Sequence, residues 1–321
     1  MILILTDRGD VHANVLINLL ENENIKYFRL NLDTFSLERT KINFENNSWL
    51  IHTENHSADL SEVSSIWNRK TFVQLMLDEQ DKDYIFNIWK NEWNKTLLGL
   101  YYHLKDKKWL NYYRNNHKAE NKYLQLDLAK KIGFSIPEYL VSNEKSKLID
   151  FTKKNSKVVL KLLNQDFYKI DDGKFMGFYV NVINETDFEK FSETEENPVF
   201  LQKYIEKKYE VRYTVVGDEH FVCKIDSQKS DISKIDWRRY DLANTPHSIL
   251  SPPDNIKKMV SCLMKELKLI YGALDFIVSD KNEWYFLEIN PSGQYLWIED
   301  LTGLKITNSI KNYLLDLQKN K

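Results

Sequence analysis

Two polar side chains interrupt an apolar, strand-like segment near the C-terminus, WYFLEINPSGQY, which begins at Trp284. Side chains alternate between the two faces of a strand, so Glu288 and Asn290 are predicted to share one face, and Leu287 and Ile289 the other. A carboxylate and an amide at the end of such a strand either face water or hold a ligand. The neighbouring sequence helps to choose between these two interpretations.

The preceding segment, YGALDFIVSDKNEW, predicts the partner strand of a β-hairpin, because its β-branched and aromatic residues are followed by the polar turn sequence Asp-Lys-Asn-Glu. With residues 280–283 as the turn, Asp275 lies directly opposite Glu288, and Phe276 lies opposite Leu287. Cross-strand partners on one face are about 4.5–5.5 Å apart, and like charges at that separation repel each other. A cation between the two carboxylates would relieve the repulsion.

Three oxygen-bearing side chains converge in this register, because Asn290 falls opposite Ala273 and next to the two carboxylates. Oxygen ligands are those that Mg²⁺ prefers, usually with phosphate oxygens in its remaining positions. The sequence therefore predicts a magnesium site at Asp275, Glu288 and Asn290; the alternative is a solvated hairpin face with scattered acids. If the metal prediction is right, Asp275→Ala or Glu288→Gln abolishes turnover and leaves the fold intact.

Basic and glycine-containing segments elsewhere offer contacts for phosphate groups. Lys161 interrupts the apolar run at 158–163 and could reach a phosphate as a point charge, or extend to solvent from an edge strand. The sequence DDGK at 171–174, with Gly177 soon after, could fold over phosphates through its backbone N–H groups or form an ordinary hairpin turn.

Two arginine-containing segments are open to similar alternatives. Arg238 and Arg239 in IDWRRYD could brace a phosphoryl group and an adjacent oxyanion, or pair with Asp236 or Asp241 at the surface. Arg69 in WNRK is either functional or caps a strand. The sequence contains no GxSxG elbow and no Walker loop, and its histidines form no obvious pair with a nucleophile, which argues against the usual hydrolase and P-loop classes.

Composition narrows the class of protein further. The 321 residues allow two or three domains, and a net charge of −2 gives no reason to expect a nucleic-acid partner. Cys223 and Cys262 lack the spacing of a zinc site, and a disulfide is not expected. No apolar run approaches the ~20 residues of a membrane span. We therefore expect a soluble, cytoplasmic protein with no membrane partner.

The order of the predicted elements divides the chain into three parts. Residues 1–112 open with strand, helix and strand and continue to an aromatic-rich helical region, which indicates an α/β domain. Residues 113–205 contain a helix followed by a small α+β unit. Residues 206–321 contain a hairpin that turns at Gly217-Asp218, a helix, the predicted metal hairpin and a final helix.

Taken in order, these segments resemble the ATP-grasp enzymes, and among them the maturases of ribosomal peptides: the microviridin-type and grasp-with-spasm ligases that make graspetides. The resemblance covers nearly the whole chain and implies an N-terminal α/β pre-ATP-grasp domain, a central lid subdomain and a C-terminal antiparallel-sheet subdomain. The segments that carry it are MILILTDRGD, SIWNRK, NKYLQLDLAKKIGFSIPEYLVSN, VVLKLL, FLQKYIEKKYEVRYTVVGD, DWRRYD and, most specifically, GALDFIVSDKNEWYFLEINPSGQYLWIEDLTG.

The resemblance also implies a role for individual residues in binding ATP and Mg²⁺. Arg238 would stabilise the transferred phosphoryl group and the tetrahedral intermediate, with Lys161 as the second catalytic residue. Lys203 stands where many members have Glu, but adenine is read largely by the backbone there, so ATP binding is expected to survive. The implied contacts are Lys122 and Lys161 for phosphate, Gln202, Lys203, Tyr204 and Ile205 for adenine, Glu210 for ribose, and Asp275, Glu288 and Asn290 for Mg²⁺.

Family members phosphorylate a side-chain carboxylate of a precursor peptide, and a Ser, Thr or Lys side chain then closes an ω-ester or ω-amide ring. By resemblance we expect this activity, a precursor peptide with a leader segment as partner, and a homodimer. The aromatic helical region 84–104 and the acidic loop 193–197 are conceivable leader-docking surfaces or plain domain packing. Two alternatives stay open: an ATP-grasp ligase acting on a small molecule or amino acid, and a non-catalytic ATP-binding module.

Overall fold

The structure is a computed structural model that describes residues 1–79, 82–163, 167–169, 175–177, 180–189, 191–192, 197–235, 237, 241 and 243–316. The first 110 residues form a parallel sheet of order β2-β1-β6-β7 and a smaller antiparallel sheet of order β3-β4-β5. β1 is buried along its whole length, as its uninterrupted apolar sequence predicts. The elements are β1 (Ile2–Thr6), α1 (Val11–Asn22), β2 (Tyr27–Asn31), α2 (Thr34–Leu37), β3 (Lys41–Glu45), β4 (Ser48–His52), β5 (Ser57–Asp59), β6 (Ser65–Asn68), α3 (Tyr84–His103) and β7 (Lys108–Leu110).

The central part is built around a four-stranded antiparallel sheet of order β12-β9-β13-β8. Helix α6 packs on this sheet around a small core of its own, to which Leu148 and Leu201 belong. Gly133 ends α5 in the left-handed conformation, with φ of 103°, as expected for a glycine after a helix. The elements are α4 (Tyr113–Ala119), α5 (Lys122–Ile132), β8 (Tyr139–Ser142), α6 (Lys145–Lys154), β9 (Val158–Lys161), β10 (Phe167–Lys169), β11 (Phe175–Gly177), β12 (Asn181–Ile183) and β13 (Val199–Lys203).

The C-terminal part is an antiparallel sheet of order β16-β15-β14-β17-β18 with helices packed against it. Its first hairpin turns at Gly217-Asp218, as predicted, and Gly217 has a φ of 59°. The elements are β14 (Tyr209–Val216), β15 (Glu219–Ile225), β16 (His247–Ile249), α7 (Asp254–Leu267), β17 (Tyr271–Val278), β18 (Trp284–Asn290), α8 (Leu296–Thr302) and α9 (Ile306–Leu314).

Two apolar cores join parts of the chain that are distant in sequence. Ile4 and Leu16 of the N-terminal part share one core with Tyr271 and Ile310. Helices α4 and α5 contribute Ala119 and Ala129 to a second core, on the C-terminal sheet. The α/β fold class predicted from the sequence is thus confirmed, whereas the boundaries after residues 112 and 205 stay predictions. Within the described residues, no helix combines the length and apolar character that crossing a membrane requires.

Candidate active site

Strands β17 and β18 pair in the predicted register at the end that carries the polar residues. Asp275 lies directly opposite Glu288, and Ala273 lies opposite Asn290. Asp275 is buried, and the other two polar side chains are half-buried. The two carboxylates and the amide therefore meet at one end of the hairpin, which is the arrangement that the metal prediction requires.

Nearer the turn, the predicted register is wrong, because a β-bulge shifts the pairing by one residue. Phe276 pairs with Phe286 instead of Leu287, and the connecting loop spans 279–283 instead of 280–283. Leu287 is the extra residue of the bulge, and it lines the same cleft as Glu288. Strict alternation had assigned these two neighbours to opposite faces; a bulge places successive side chains differently, so alternation fails there.

The Asp275 carboxylate is held by an arginine that the sequence motifs did not identify. Arg212, on the adjacent strand β14, lies opposite Asp275 and donates from Nη1 to both carboxylate oxygens, at 2.9 and 2.8 Å. Both side chains are buried, and Arg212 Nη2 also donates to the Gln294 carbonyl at 3.3 Å. The alternation of Glu210 and Arg212 with apolar residues along β14 could have revealed a polar face. Removing one partner of such a buried pair leaves an uncompensated charge.

The Glu288 carboxylate forms an ion pair with Lys122, the first residue of α5. Asn290 Nδ2 lies 3.4 Å from Glu288 Oε1. A predicted phosphate contact therefore touches a predicted metal ligand. Among the described residues, no three His, Cys, Asp or Glu side chains are grouped as metal ligands. The predicted set has two carboxylates and an amide, and each carboxylate is neutralised by a basic side chain.

A cleft lies between the central sheet and the C-terminal sheet. Its lining brings together Lys161, the predicted adenine segment 202–205 and Glu210 with Asp275 and Glu288. Residues from three separate predicted segments thus share one cavity.

The inner end of β13 carries an unsatisfied polar group. Gln202 is 2% exposed, and its Nε2 has no hydrogen-bond partner among the described residues. Buried amide groups in proteins are nearly always hydrogen-bonded, so this donor can pair with an acceptor group that enters the cleft. An acceptor atom of a bound ligand, such as a ring nitrogen of adenine, would satisfy it.

The rest of the adenine segment is fixed mainly by its backbone. The Lys203 N–H donates to the Glu138 carbonyl at 2.8 Å, and the Tyr204 N–H donates to the Lys157 carbonyl at 2.9 Å. The Lys203 residue is exposed, so the departure from the family's Glu falls on a solvent-exposed position at the edge of the cleft. Burial, with the nearby charges of Glu206 and Glu210, raises the pKa of Tyr204 to about 12.

Glu210, the predicted ribose contact, is paired with a lysine that the motifs also missed. Lys207 Nζ lies 2.7 Å from Glu210 Oε1 and donates to the Ile235 carbonyl at 2.9 Å. The Lys207 side chain is 1% exposed, and a lysine so deeply buried requires such partners. Glu210 is therefore a neutralised, fixed acceptor at the wall of the cleft.

The remaining predicted residues lie elsewhere. Arg69 is buried just after β6 and contacts the loop that follows β18, outside the cleft lining. The DDGK segment, Arg238, Arg239 and the acidic residues 193–196 fall outside the described part of the chain. The catalytic role expected of Arg238 thus stays a prediction.

Comparison with known proteins identifies relatives of the whole chain. Residues 1–117 match the family described as the MvdD pre-ATP grasp domain. A RiPP-associated ATP-grasp ligase of Chryseobacterium gregarium, solved with ADP and a leader and core peptide, is 29% identical; the match covers 99% of this chain and 97% of that one, with a TM-score of 0.87. No curated protein matches the chain.

Two macrocyclases of Microcystis aeruginosa are similar over their full length as well. MdnC, solved with its precursor peptide MdnA, is 26% identical to this chain. The match covers 98% of this chain and 100% of MdnC, with a TM-score of 0.86. MdnB is 26% identical with 98% coverage of both chains and a TM-score of 0.80. With its ATP-grasp architecture and its N-terminal pre-ATP-grasp match, the chain is similar over nearly its whole length to RiPP-associated ATP-grasp ligases and macrocyclases.

Proposed function

We propose that the protein is an ATP-dependent peptide macrocyclase. It phosphorylates Asp or Glu side-chain carboxylates of a ribosomal precursor peptide and joins them to Ser, Thr or Lys side chains. The observation that carries the proposal is the opposed pair Asp275 and Glu288 in a cleft that also contains the Gln202 Nε2 donor, which has no partner in the described part of the chain. The peptide as substrate is supported by the relatives, which were solved with leader, core or precursor peptides.

The donor set at the end of the hairpin fits Mg²⁺. Asp275, Glu288 and Asn290 supply oxygen atoms from paired strands, and hard oxygen ligands suit this ion. When bound, Mg²⁺ neutralises phosphate oxygens and so supplies electrostatic stabilisation of phosphoryl transfer. Lys122, which pairs with Glu288 in the structure, would then exchange that carboxylate for phosphate oxygens, and Lys161 in the cleft lining would supply a second positive charge.

The reaction proceeds in two balanced steps. A peptide carboxylate oxygen attacks the γ-phosphorus of ATP, the bond to the ADP oxygen breaks, and an acyl phosphate forms. A hydroxyl oxygen or amine nitrogen of the same peptide then attacks the acyl carbon, the bond from that carbon to the phosphate oxygen breaks, and the nucleophile's proton passes to the departing phosphate or to water. Both reacting groups belong to the peptide, which explains why the sequence contains no nucleophile triad. The chain's own residues bind and orient the reactants, and positioning supplies much of the rate.

A homodimer is the assembly that we infer for the protein. The first half of α3 is apolar and only loosely packed: Tyr84, Ile85 and Ile88 are 73%, 59% and 57% exposed. On the same helix, Trp89 and Trp93 line a shallow groove. The exposed apolar residues of α3 form a ridge beside this groove. A second copy related by a twofold axis can place its ridge in the groove of the first copy and receive the first copy's ridge in its own groove. Exposed apolar patches of this kind mark interaction surfaces.

Nucleotide turnover with defined acceptors tests the proposal. The protein is incubated with ATP, Mg²⁺ and candidate precursor peptides, which are short sequences from neighbouring genes that combine Asp or Glu with Ser, Thr or Lys. Parallel reactions contain glutamate, lysine or another free amino acid instead of the peptide, and ADP release is measured in each. We expect ADP release to depend on the peptide. Release with a free amino acid alone would support a small-molecule ligase, and nucleotide binding without release under any condition would support a non-catalytic module.

A further inference from the structure

The loop 291–295, which follows the predicted metal ligand Asn290, is tightly packed against the metal hairpin. The Gly293 N–H donates to the Asn290 carbonyl at 3.2 Å. A Cβ atom on Gly293 would lie 2.6 Å from the Ala273 Cβ and 3.3 Å from the Asn290 Cβ, so only glycine fits there. Since Ala273 is the cross-strand partner of Asn290, any shift of this loop moves the end of the metal hairpin.

The N-terminal part of the chain holds this loop through a buried arginine. Arg69 Nη1 donates to the Ser292 carbonyl at 2.9 Å and lies 3.5 Å from the Gly293 carbonyl. Arg69 Nε donates to Asp10 Oδ2 at 3.2 Å, and both residues are buried. Asp10 thus compensates the arginine charge, and one guanidinium connects the start of α1 to the loop after β18.

Other side chains hold the same loop from the N-terminal side. His12 Nε2 accepts a hydrogen bond from the Tyr295 N–H at 3.2 Å, and its Nδ1 lies 3.4 Å from Asp10 Oδ1. Asn111 Nδ2 donates to the Pro291 carbonyl at 3.0 Å, and Asn116 Nδ2 donates to Ser292 Oγ at 3.0 Å. The loop is therefore fixed at Pro291, Ser292, Gly293 and Tyr295 by residues more than 170 positions away in sequence.

The network continues to the second predicted metal ligand. Arg212, which binds both oxygens of Asp275, also donates to the Gln294 carbonyl in the same loop. A continuous set of contacts therefore runs from Asp10 through Arg69 and the loop to Arg212 and Asp275. Its two ends are the N-terminal α/β part and the metal hairpin.

We propose that Arg69 is a positioning residue for the metal site: by bridging two loop carbonyls, it sets the placement of Asn290 and, through Arg212, of Asp275. The proposal rests on the proposed function, since it assumes that these residues bind Mg²⁺ with a nucleotide. Arginine suits the task because its planar fork can hold Asp10 and the loop carbonyls together, whereas lysine offers a single point donor. Groups behind metal ligands typically change metal affinity by about 10–100-fold when they are removed.

Calorimetry of ADP binding with and without Mg²⁺ tests the proposal without recourse to turnover. In the unmodified protein, Mg²⁺ should strengthen ADP binding. In Arg69→Met, we expect the Mg²⁺ concentration for half-maximal enhancement to rise about 10–100-fold, with metal-free ADP affinity unchanged. Arg69→Lys, which keeps one donor, should lie between the two and provides the measurement if Arg69→Met does not fold.

A destabilised but unrelated variant separates positioning from general loss of stability. Leu30→Ala removes a buried side chain from β2, in the same N-terminal sheet but in a different core from the loop contacts. It should lower thermal stability and leave the Mg²⁺ dependence unchanged. An unchanged Mg²⁺ dependence in both Arg69 variants, or an equal change in Leu30→Ala, overturns the positioning role while the proposed function stands. If Mg²⁺ does not affect ADP binding to the unmodified protein, the proposed function fails as well.

Discussion

Arg212 donates from one nitrogen to both carboxylate oxygens of Asp275, at 2.9 and 2.8 Å, across two neighbouring strands of the C-terminal sheet. Both side chains of the pair are buried, and Asp275 lies directly opposite Glu288 on the neighbouring strand. Asp275 therefore has a structural role as well as a predicted role in metal binding, and the two candidate carboxylates respond differently to mutation.

Glu288→Gln is the cleaner test of the metal site. Glu288 and its partner Lys122 are less buried than Asp275 and Arg212, so replacing Glu288 with the amide should cost less stability than replacing Asp275. We expect ADP release to fall to background because a charged oxygen ligand is lost. Glu283→Gln, at the exposed turn of the same hairpin, is the matched control and should retain full activity. Normal turnover in Glu288→Gln would refute the metal assignment.

Asp275→Ala should lose both activity and stability, contrary to the expectation from sequence that its fold stays intact. It leaves the buried Arg212 charge without its partner, which typically costs about 3–5 kcal/mol. Urea unfolding measures this loss. Adding Arg212→Met should restore much of the stability but no activity, since the oxygen ligand is still missing. If Asp275→Ala were inactive yet as stable as the unmodified protein, the ion pair with Arg212 would make no net contribution to stability.

Gln202→Leu should have opposite effects on stability and on nucleotide affinity. The Gln202 Nε2 is buried without a protein partner in the described chain, so replacing it with an apolar group should be neutral or stabilising. Loss of a hydrogen bond to the nucleotide should weaken ADP binding by about 0.5–1.5 kcal/mol. Calorimetry and thermal unfolding of one sample measure both.

Gln125 provides the contrast for that prediction. Its amide donates to the Ala119 and Ile289 carbonyls and accepts from the Ile289 N–H, so it is fully satisfied. Gln125→Leu should therefore destabilise the protein by about 1–3 kcal/mol. Equal stability changes in the Gln125 and Gln202 variants would show that the Gln202 amide is satisfied in the absence of nucleotide.

The Asp10 carboxylate should make the protein sensitive to acid. Burial opposes its ionisation, but its hydrogen bond with His12 and the Arg69 charge together hold its pKa well below the usual 3.8. A depressed pKa in the folded state means that the stabilisation is fully present above the unfolded value and is lost progressively as the pH falls from there through the folded value. Asp10→Asn, which keeps an N-cap acceptor for α1, should be less stable than the unmodified protein at neutral pH.

The difference in unfolding free energy between Asp10→Asn and the unmodified protein should narrow as the pH falls below about 4. Urea unfolding at neutral pH and at pH near 3 measures it. A gap that stays constant across this range would mean that the Asp10 charge makes no contribution through its ionisation.

Ile88→Glu should convert the inferred dimer to a monomer, because it places a charge at the centre of the apolar half of α3. Light scattering after size exclusion gives the molar mass. Ile249→Glu, at an equally exposed isoleucine on the edge strand β16, is the matched control, and its mass should not change. A monomeric unmodified protein, or a dimer that survives Ile88→Glu, would place the interface elsewhere or remove it.

Part of the site follows from local sequence because the residues involved lie on one hairpin. The turn signal and the alternation bring Asp275 opposite Glu288, and these depend on only a few residues. The bulge at Leu287 could not be predicted, because two registers that differ by one residue both bury apolar side chains. The sequence says little about which strands become neighbours at long range.

Arg212 was missed for that reason. It neutralises Asp275 only because β14 lies beside β17, 63 positions away in sequence. Lys207 lies only three positions from Glu210, but no sequence pattern marked the two as a buried pair. The links from Arg69 to the loop after β18 depend on tertiary packing in the same way. Local patterns can identify the oxygen ligands, while the side chains that hold them come from distant strands.

Mass spectrometry of the precursor peptide encoded beside the gene tests the central claim most directly. The peptide is incubated with the protein, ATP and Mg²⁺, in parallel with the Glu288→Gln variant. The account predicts that the peptide loses the mass of one water molecule for each crosslink, with one ADP formed per crosslink, and that the variant leaves it unchanged. A peptide of unchanged mass with the unmodified protein, or an equal mass loss with Glu288→Gln, would contradict it.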